Sequence, residues 1–563
     1  MYEKRKIPFV NQVDISATES LKESALEKLS NGFLEIDAGG TAVARVRPHF
    51  RQERSFSGLS PINDESQEQD LNDDLVLKTI IPWPIITDSS PYGNYFAGKA
   101  DYLLLFYSDG NFWKNVFLTT GVTASETNVV NEISGSSPYA GKDDVQADAT
   151  FFYDATDENV AIYCMGFNIY VTHISGTTVT TGKWFTLATT DNAGLTDDHK
   201  YLSVQHFKNY VFFTDGKTLR WSALNNYKDV PAINVAPASL VVDNIVFLEE
   251  YNGELCVFGE RSVEFWQLTG EAGAAAIAPI VSATISMGCA IGSNVAKFND
   301  RLYFVNNRLE VIEIFNRQPR ILSKQIANIL SATIFDDSSG LPQNREQWVE
   351  FNFNVSAATI SGKNFLFINK NIGNPYHDET GNEDYNKTYV MNLDNETWCE
   401  WDFNTPKTEW WYGFANPVTN PNNGVTYGVH PRTCTRPAQI VAADEDDRQL
   451  DYPVQGLWPA YKDEIEFELR TAFIDHGTFS RKNINRLMVR TEKDSGDDVV
   501  VSYKNNKGDA FKDATLDVST EDNIIELKSL GQYRSRQYKI AATVFNGDFG
   551  IAGAEEEVEV QDS

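Results

Sequence analysis

The stretch YNGELCVFGERSVEFWQL, Tyr251–Leu268, decides the fold. Two short apolar runs, LCVFG and SVEFWQL, flank a polar turn at Glu260 and Arg261, which is the pattern of a β-hairpin. LCVFG is apolar at successive positions, whereas a half-exposed strand alternates apolar with polar. Such a run expects burial on both faces. YVFFT (210–214) and LYFVN (302–306) have the same property. Strands inside a β-propeller blade meet this condition, because each blade packs between two others.

Working outward, four segments share one plan: HFKNYVFFTDGKTLRWS, EYNGELCVFGERSVEFWQL, KFNDRLYFVNNRLEVIEIF and ISGKNFLFINKN. In each, a polar turn precedes a short apolar strand. Asn209, Asn252 and Asn299 hold equivalent places, about 43 and then 47 residues apart, and a further copy lies near Gly362. A four-stranded blade takes roughly 40–50 residues. The same texture runs from Tyr102 to Asp444, room for six to eight blades, of which six is the expected count.

The flanks differ. SATESLKESALEKLSNG places Leu21, Ala25 and Leu29 at four-residue spacing before Gly32, which predicts a short docking helix. Beyond Pro453 and Pro459 come about six strands with the texture of a β-sandwich. The expected architecture is all-β: an N-terminal arm with the first strands over 1–95, a β-propeller over 96–455, and a β-rich, sandwich-like segment over 456–563.

The 563 residues are 42% hydrophobic and 12% aromatic, enough for a sizeable core. The formal net charge is -31, which opposes wrapping of a DNA backbone or docking on an anionic membrane. Such a surface can still line a passage through which DNA slides. Cys164, Cys256, Cys289, Cys399 and Cys434 are scattered without a CxxC pair and read as reduced core thiols. MYEKRKIPFVNQVDIS carries charge but no apolar h-region, so no Sec signal is expected. No run of about 18 apolar residues offers a membrane anchor.

Motifs for chemistry are absent from the sequence: GxGxxG, the P-loop, GxSxG and HExxH do not occur. No catalytic, cofactor-binding or metal-ligating residue is therefore assigned, no cofactor is expected, and the chain is read as a non-enzyme. AADEDDRQLDY (442–452) is rich in acids but lacks the oxygen spacing of an EF-hand; it reads as a solvated loop ahead of a Ca²⁺ site, as does INDESQEQDLNDDL (62–75). TISMGCAIGS (284–293) reads as a tight turn between blades. SYKNNKGDAF (502–511) is similar to an Asp-box hairpin, with Lys504 at the Asp place. Trp398, Trp401, Trp410 and Trp411 suit packing between blades ahead of sugar stacking. SRKNINRLMVR (480–490), the clearest basic run, suits a salt-bridged hairpin surface or a subunit contact.

VFGERSVEFW (257–266), a Gly288–Cys289 turn, VAKFNDRLYF (295–304), and Pro319, Arg320, Ile321 and Ser323 together resemble the packaged-DNA stabilisation, or tail hub (nozzle), proteins of short-tailed bacteriophages, the podoviruses. Near the C-terminus, Leu530, Gly531, Arg534, Arg536, Tyr538 and Ile540 fill an L-G-x-x-R-x-R-x-F-x-I pattern of that family. Where the family commonly has W-L-G, this chain has Val305, Asn306 and Asn307. The resemblance covers roughly 241–323 and 498–558. It implies a homohexamer in the virion tail, made in the host cytoplasm. That ring docks on the adaptor below the portal, anchors tail fibres or spikes, and is closed by a needle or plug. It retains the packaged genome and then conducts double-stranded DNA at ejection without sequence-specific binding. The rival readings are a carbohydrate-binding or depolymerising propeller and a bacterial propeller scaffold.

Overall fold

The computed structural model describes residues 2–7, 26–36, 42–51, 76–83, 102–108, 112–119, 129–132, 147–153, 159–165, 168–175, 178–187, 193–195, 201–237, 243–290, 293–327, 330, 351–372, 388–401, 417–419, 424, 426–429, 437–441, 465–492, 498–514, 517–519, 523–528, 530–544 and 549–561. Their regular structure is almost entirely β-strand, with next to no helix, as the patterning predicts.

Among them, seven four-stranded antiparallel blades form a propeller, one more than the six expected. Blade 1 is Val76–Pro82, Tyr102–Ser108, Phe112–Thr119 and Val129–Glu132. Blade 2 is Asp148–Tyr153, Asn159–Met165, Asn168–Ser175 and Thr178–Lys183. Blade 3 is Ser203–Phe207, Tyr210–Thr214, Thr218–Trp221 and Val235–Pro237. Blade 4 is Ile245–Tyr251, Glu254–Gly259, Val263–Leu268 and Ile277–Pro279. Blade 5 is Ala296–Phe298, Arg301–Val305, Val311–Phe315 and Gln318–Ile321. Blade 6 is Phe351–Ile360, Lys363–Ile372, Thr388–Asn392 and Thr397–Trp401. Blade 7 takes Val418–Thr419, Thr426–Val429 and Pro437–Val441, and its fourth strand is His49–Arg51 from the N-terminal region. First strands of blades 2 and 3, 3 and 4, 5 and 6, and 6 and 7 touch, which places them toward the propeller axis, and blade 7 touches blade 1 to close the ring.

The described residues of the N-terminal region are strands that enter the sheets. Leu26–Ser30 is a strand where the four-residue spacing predicts a helix, and Leu26 and Leu29 are fully buried; Ser16 to Ala25 lie outside the described residues. Cross-strand pairing wins over local propensity here. Leu26–Ser30 pairs with Ile465–Thr471 on one side and touches Glu400 of blade 6 through Ser30 on the other. Blade 6 thereby continues into the C-terminal module as one nine-stranded sheet. A second sheet contains Gly32–Ile36, Ala42–Val46, Gly550–Val560, Lys482–Glu492, Ile524–Lys528 and Asp517–Ser519. Glu3–Ile7 adds to the edge of Gly550–Val560. The two sheets share a core of Phe33, Leu34, Phe467, Leu487, Val501, Ile540 and Ile551, which is a β-sandwich. Strands from both ends of the chain build it. First-blade strand already runs at Val76–Pro82, ahead of the expected start at 96.

The repeat seen in sequence marks one turn. The pairs Phe207–Tyr210, Tyr251–Glu254, Phe298–Arg301 and Ile360–Lys363 close two-residue hairpins between first and second blade strands. Their central residues, Lys208–Asn209, Asn252–Gly253, Asn299–Asp300 and Ser361–Gly362, all have positive φ, as a type I′ turn requires and as Asn and Gly tolerate best. Asn209 stands second in its turn, while Asn252 and Asn299 stand first.

Candidate functional site

The seams between blades carry buried polar groups that cap backbone amides. Each first strand has one edge with no ladder partner, and its amides need acceptors. At blades 3, 4 and 6, side chains from the adjoining blade or the segment leading into it supply them. Asp148 of blade 2 accepts from Val204 N (2.9 Å) and Ser203 Oγ (2.5 Å) of blade 3. Ser203 Oγ in turn accepts from Leu248 N of blade 4 (2.9 Å). Thr150 accepts from His206 N, and Ser293 and Asn294 accept from Phe353 N and Val355 N of blade 6. Thr419 of blade 7 accepts from Thr359 N.

Burial raises the acids here. Asp148 is pushed up to about 6 by burial, against its hydrogen bonds. Glu249 is pushed up to about 8, first by burial and then by the Asp148 and Glu250 carboxylates, with Lys297 opposing. Lys297 itself bonds Glu250 O and its carboxylate. A raised carboxyl beside a serine hydroxyl invites comparison with a nucleophile pair. Ser203, however, meets Asp148 directly with no imidazole between them, unlike the hydrolytic triad, and both groups are engaged in capping amides. Among the described residues, no His, Cys, Asp and Glu group is arranged to hold a metal ion. The acidic segments 62–75 and 442–452 lie outside the described residues.

The motif pieces singled out in sequence converge on the joint between blades 4 and 5. A Cβ at Gly288 would stand 2.0 Å from the Glu260 carbonyl carbon, so glycine is required there. Cys289 N donates to Gly259 O, and Asn307 donates to Glu260 O. Asp243 caps the turn by accepting from Arg261 N and Ser262 N. In blade 5, Ser323 accepts from Val311 N, and Arg320 bridges Glu313 (2.7 Å) to Glu396 of blade 6 (2.7 Å). Burial works to raise the Glu313 carboxyl, but hydrogen bonds and charge from Arg301 and Arg320 outweigh it and hold it low.

The C-terminal motif builds one end of the sandwich. Arg536 is fully buried, stacked 4.4 Å from both the Tyr503 and Tyr533 rings, and donates to Leu530 O and Asn505. Tyr533 and His476 both bond the buried Glu556 carboxylate at 2.8 Å. Gly531 supplies a positive φ, Tyr538 and Ile540 are core, and Arg534 is exposed. The 480–490 run forms a strand whose Arg486 pairs with Glu526 and Glu557, a salt-bridged surface as expected.

Trp398 and Trp401 are fully buried, donating to Leu322 O and Gly32 O. They fill the blade 5–6 seam and the blade 6–sandwich seam, so neither offers a face to a sugar. Trp410 and Trp411 lie outside the described residues. The Asp-box-like 502–511 segment is a sandwich hairpin, with Lys504 resting over Phe511. The seam caps Asp148, Ser203 and Asn294 escaped the sequence reading, because their partners are 45–61 residues away.

Residues 127–332 match the phage stabilisation family, described as bacteriophage P22 Gp10, beta-propeller. The match runs from the last strand of blade 1 through blade 5 and bears out the resemblance carried by VFGERSVEFW and the Gly288–Cys289 turn. The chain is thus similar to a phage structural β-propeller. No curated protein sequence matches it. Among solved structures, BamB from Moraxella catarrhalis aligns at 8% identity over 70% of this chain and 97% of that one, with a TM-score of 0.31. The extracellular domain of the putative hybrid two component system BT4673 from B. thetaiotaomicron aligns at 9% identity over 89% and 65%, with a TM-score of 0.31. KlHsv2 with loop 6CD replaced by a Gly-Ser linker aligns at 9% over 53% and 79%, with a TM-score of 0.26. Likenesses this distant carry no functional argument.

Proposed function

We propose that this chain is a structural virion protein of a short-tailed phage tail, a subunit of the hub or nozzle below the portal and adaptor. The observation that carries the reading is the match of residues 127–332, the last strand of blade 1 and blades 2–5, to the phage stabilisation family. Six copies form a closed ring, retain the packaged genome, hold fibres or spikes on the outside, and conduct DNA at ejection. Two physical features support this. A net charge of -31 per copy makes a tunnel wall that repels the DNA backbone and lets it slide. The sandwich is joined to blade 6 by a continuous sheet, which suits a part that must bear load without hinging.

Mass photometry and cryo-EM of the purified protein, with and without the adaptor, test the reading. A hexameric ring is expected with adaptor present. A chain that stays monomeric with adaptor and is absent from virions overturns it. The rival carbohydrate reading expects binding on a glycan array or cleavage of host polysaccharide, and the burial of Trp398 and Trp401 disfavours it.

A further inference from the structure

We infer that Glu3–Ile7 is an exchangeable strand: in the assembled ring it docks on Gly550–Val560 of a second copy of this chain instead of on its own. Glu3–Ile7 runs antiparallel along the edge of Gly550–Val560 that Ala42–Val46 leaves open, and its own far edge has no ladder partner among the described residues. The fit is written in charge at that one edge. Lys4, Arg5 and Lys6 stand opposite Glu557, Glu556 and Glu555 in the ladder, opposite-charge cross-strand pairs in succession. Lys4 and Lys6 are exposed, and Lys4 Nζ lies 3.9 Å from the Glu555 carboxylate. On the inward face, Arg5 donates to His476 O (3.2 Å), and Ile7 is buried opposite Ala554 in the sandwich core.

Two observations select a second copy as the occupant. The first is that the place cannot stand vacant. Glu556 is fully buried; one of its oxygens bonds Tyr533 and His476, and the other has no hydrogen-bond partner. Arg5 is the cation that the ladder sets opposite it. A bare edge leaves that carboxylate without Arg5 and exposes unpaired backbone groups, so the strand is given up only for another of the same sequence. The second observation is reach. Ile7 and Leu26 sit in one core, yet residues 8–25 connect them, a length that spans about 60 Å at full extension. Neighbouring elements in a compact domain are usually joined by about 2–6 residues. Ile7 is the one fully buried side chain of the strand, and every bond of the ladder forms equally on a neighbour. Exchange of an identical element is a low-cost route to assembly. This inference rests on the ring proposed above and names an interface within it.

The test uses full-length chains with adaptor, read by mass photometry and non-reducing gels, with thermal melts as folding controls. The double variant K4C/E557C sets two thiols opposite each other in the ladder, at a separation that a disulfide bridges. Cys164, Cys256, Cys289 and Cys399 are buried, and the K4C and E557C single variants serve as controls. Oxidised rings are expected to give a ladder of linked chains up to the hexamer. Rings that give only single chains with an internal bridge overturn the exchange and leave the hub reading intact. A second arm asks for rescue between chains. K4E/K6E and E555K each set like charges across the edge, and each alone should weaken assembly by about tenfold. Mixed, the reversed strand of one matches the reversed edge of the other, so assembly should recover toward the parent level. A mixture no better than its components, or parent-level rings from either alone, overturns the exchange. A parent chain that stays monomeric with adaptor overturns the ring and the exchange together.

Discussion

Trp266 shows how much one residue decides in this fold. It sits in the seam core with Phe207, Phe212 and Trp221 of blade 3 and Leu255 and Val257 of its own blade, and its indole N–H donates to Glu264 (3.1 Å). Trp266→Ala should cost about 3–5 kcal/mol and depress ring assembly through stability. A melt unchanged from the parent would reject the seam role. Glu249 gives a pH signature. Its folded-state value, about 8, lies above the ordinary 4.5, so the folded chain binds the extra proton and stability falls as pH rises between these values. E249Q should flatten that part of the melting-temperature profile between pH 5 and 8, and a slope identical to the parent would count against it. Both residues stand in runs visible in the sequence. VEFWQL marked Trp266 as apolar core, but nothing local to Glu249 reveals that the fold desolvates its carboxyl.

Among elements, the N-terminal strands are the most consequential. Leu26–Ser30 joins blade 6 to the sandwich, Gly32–Ile36 and Ala42–Val46 enter the second sheet, and His49–Arg51 completes blade 7. A chain starting at residue 52 should therefore lose the sandwich core and leave blade 7 one strand short. Limited proteolysis is expected to attack both modules, whereas an arm would be trimmed with both left resistant. The hairpins inside blades were legible because their turn residues and apolar runs are local. The pairing of Leu26–Ser30 was not legible, because its spacing of leucines satisfies a helix and a buried strand alike. The tie was broken by partners more than 350 residues away.

For the whole molecule, the shared sheet between blade 6 and the sandwich changes the mechanical expectation. Two domains on a linker unfold separately, while a continuous sheet with a common core couples them. The core cluster of the sandwich indeed includes Phe365, Phe367 and Trp401 of blade 6. Scanning calorimetry of the isolated chain should show one main transition. Two well-separated transitions would show that the seam at Trp401 and Gly32 is weak. The same continuity would carry load between sandwich and propeller in the role proposed above.

The sequence by itself determined the class of the fold and its repeating unit. Doubly apolar strands, Asn- and Gly-bearing turns and their spacing are short-range properties, and side-chain burial in one blade repeats in the next. It also carried the family resemblance, since VFGERSVEFW, Gly288 and the Arg536 motif are constrained by packing at single joints. Only the tertiary structure decided the blade number, the closing strand and the fusion of sandwich to propeller. Those depend on which strand edges meet, and edge pairing between segments hundreds of residues apart uses backbone groups that every residue possesses. Tyr251–Leu268 therefore announced a propeller blade, but its neighbours settled that the blade is the fourth of seven.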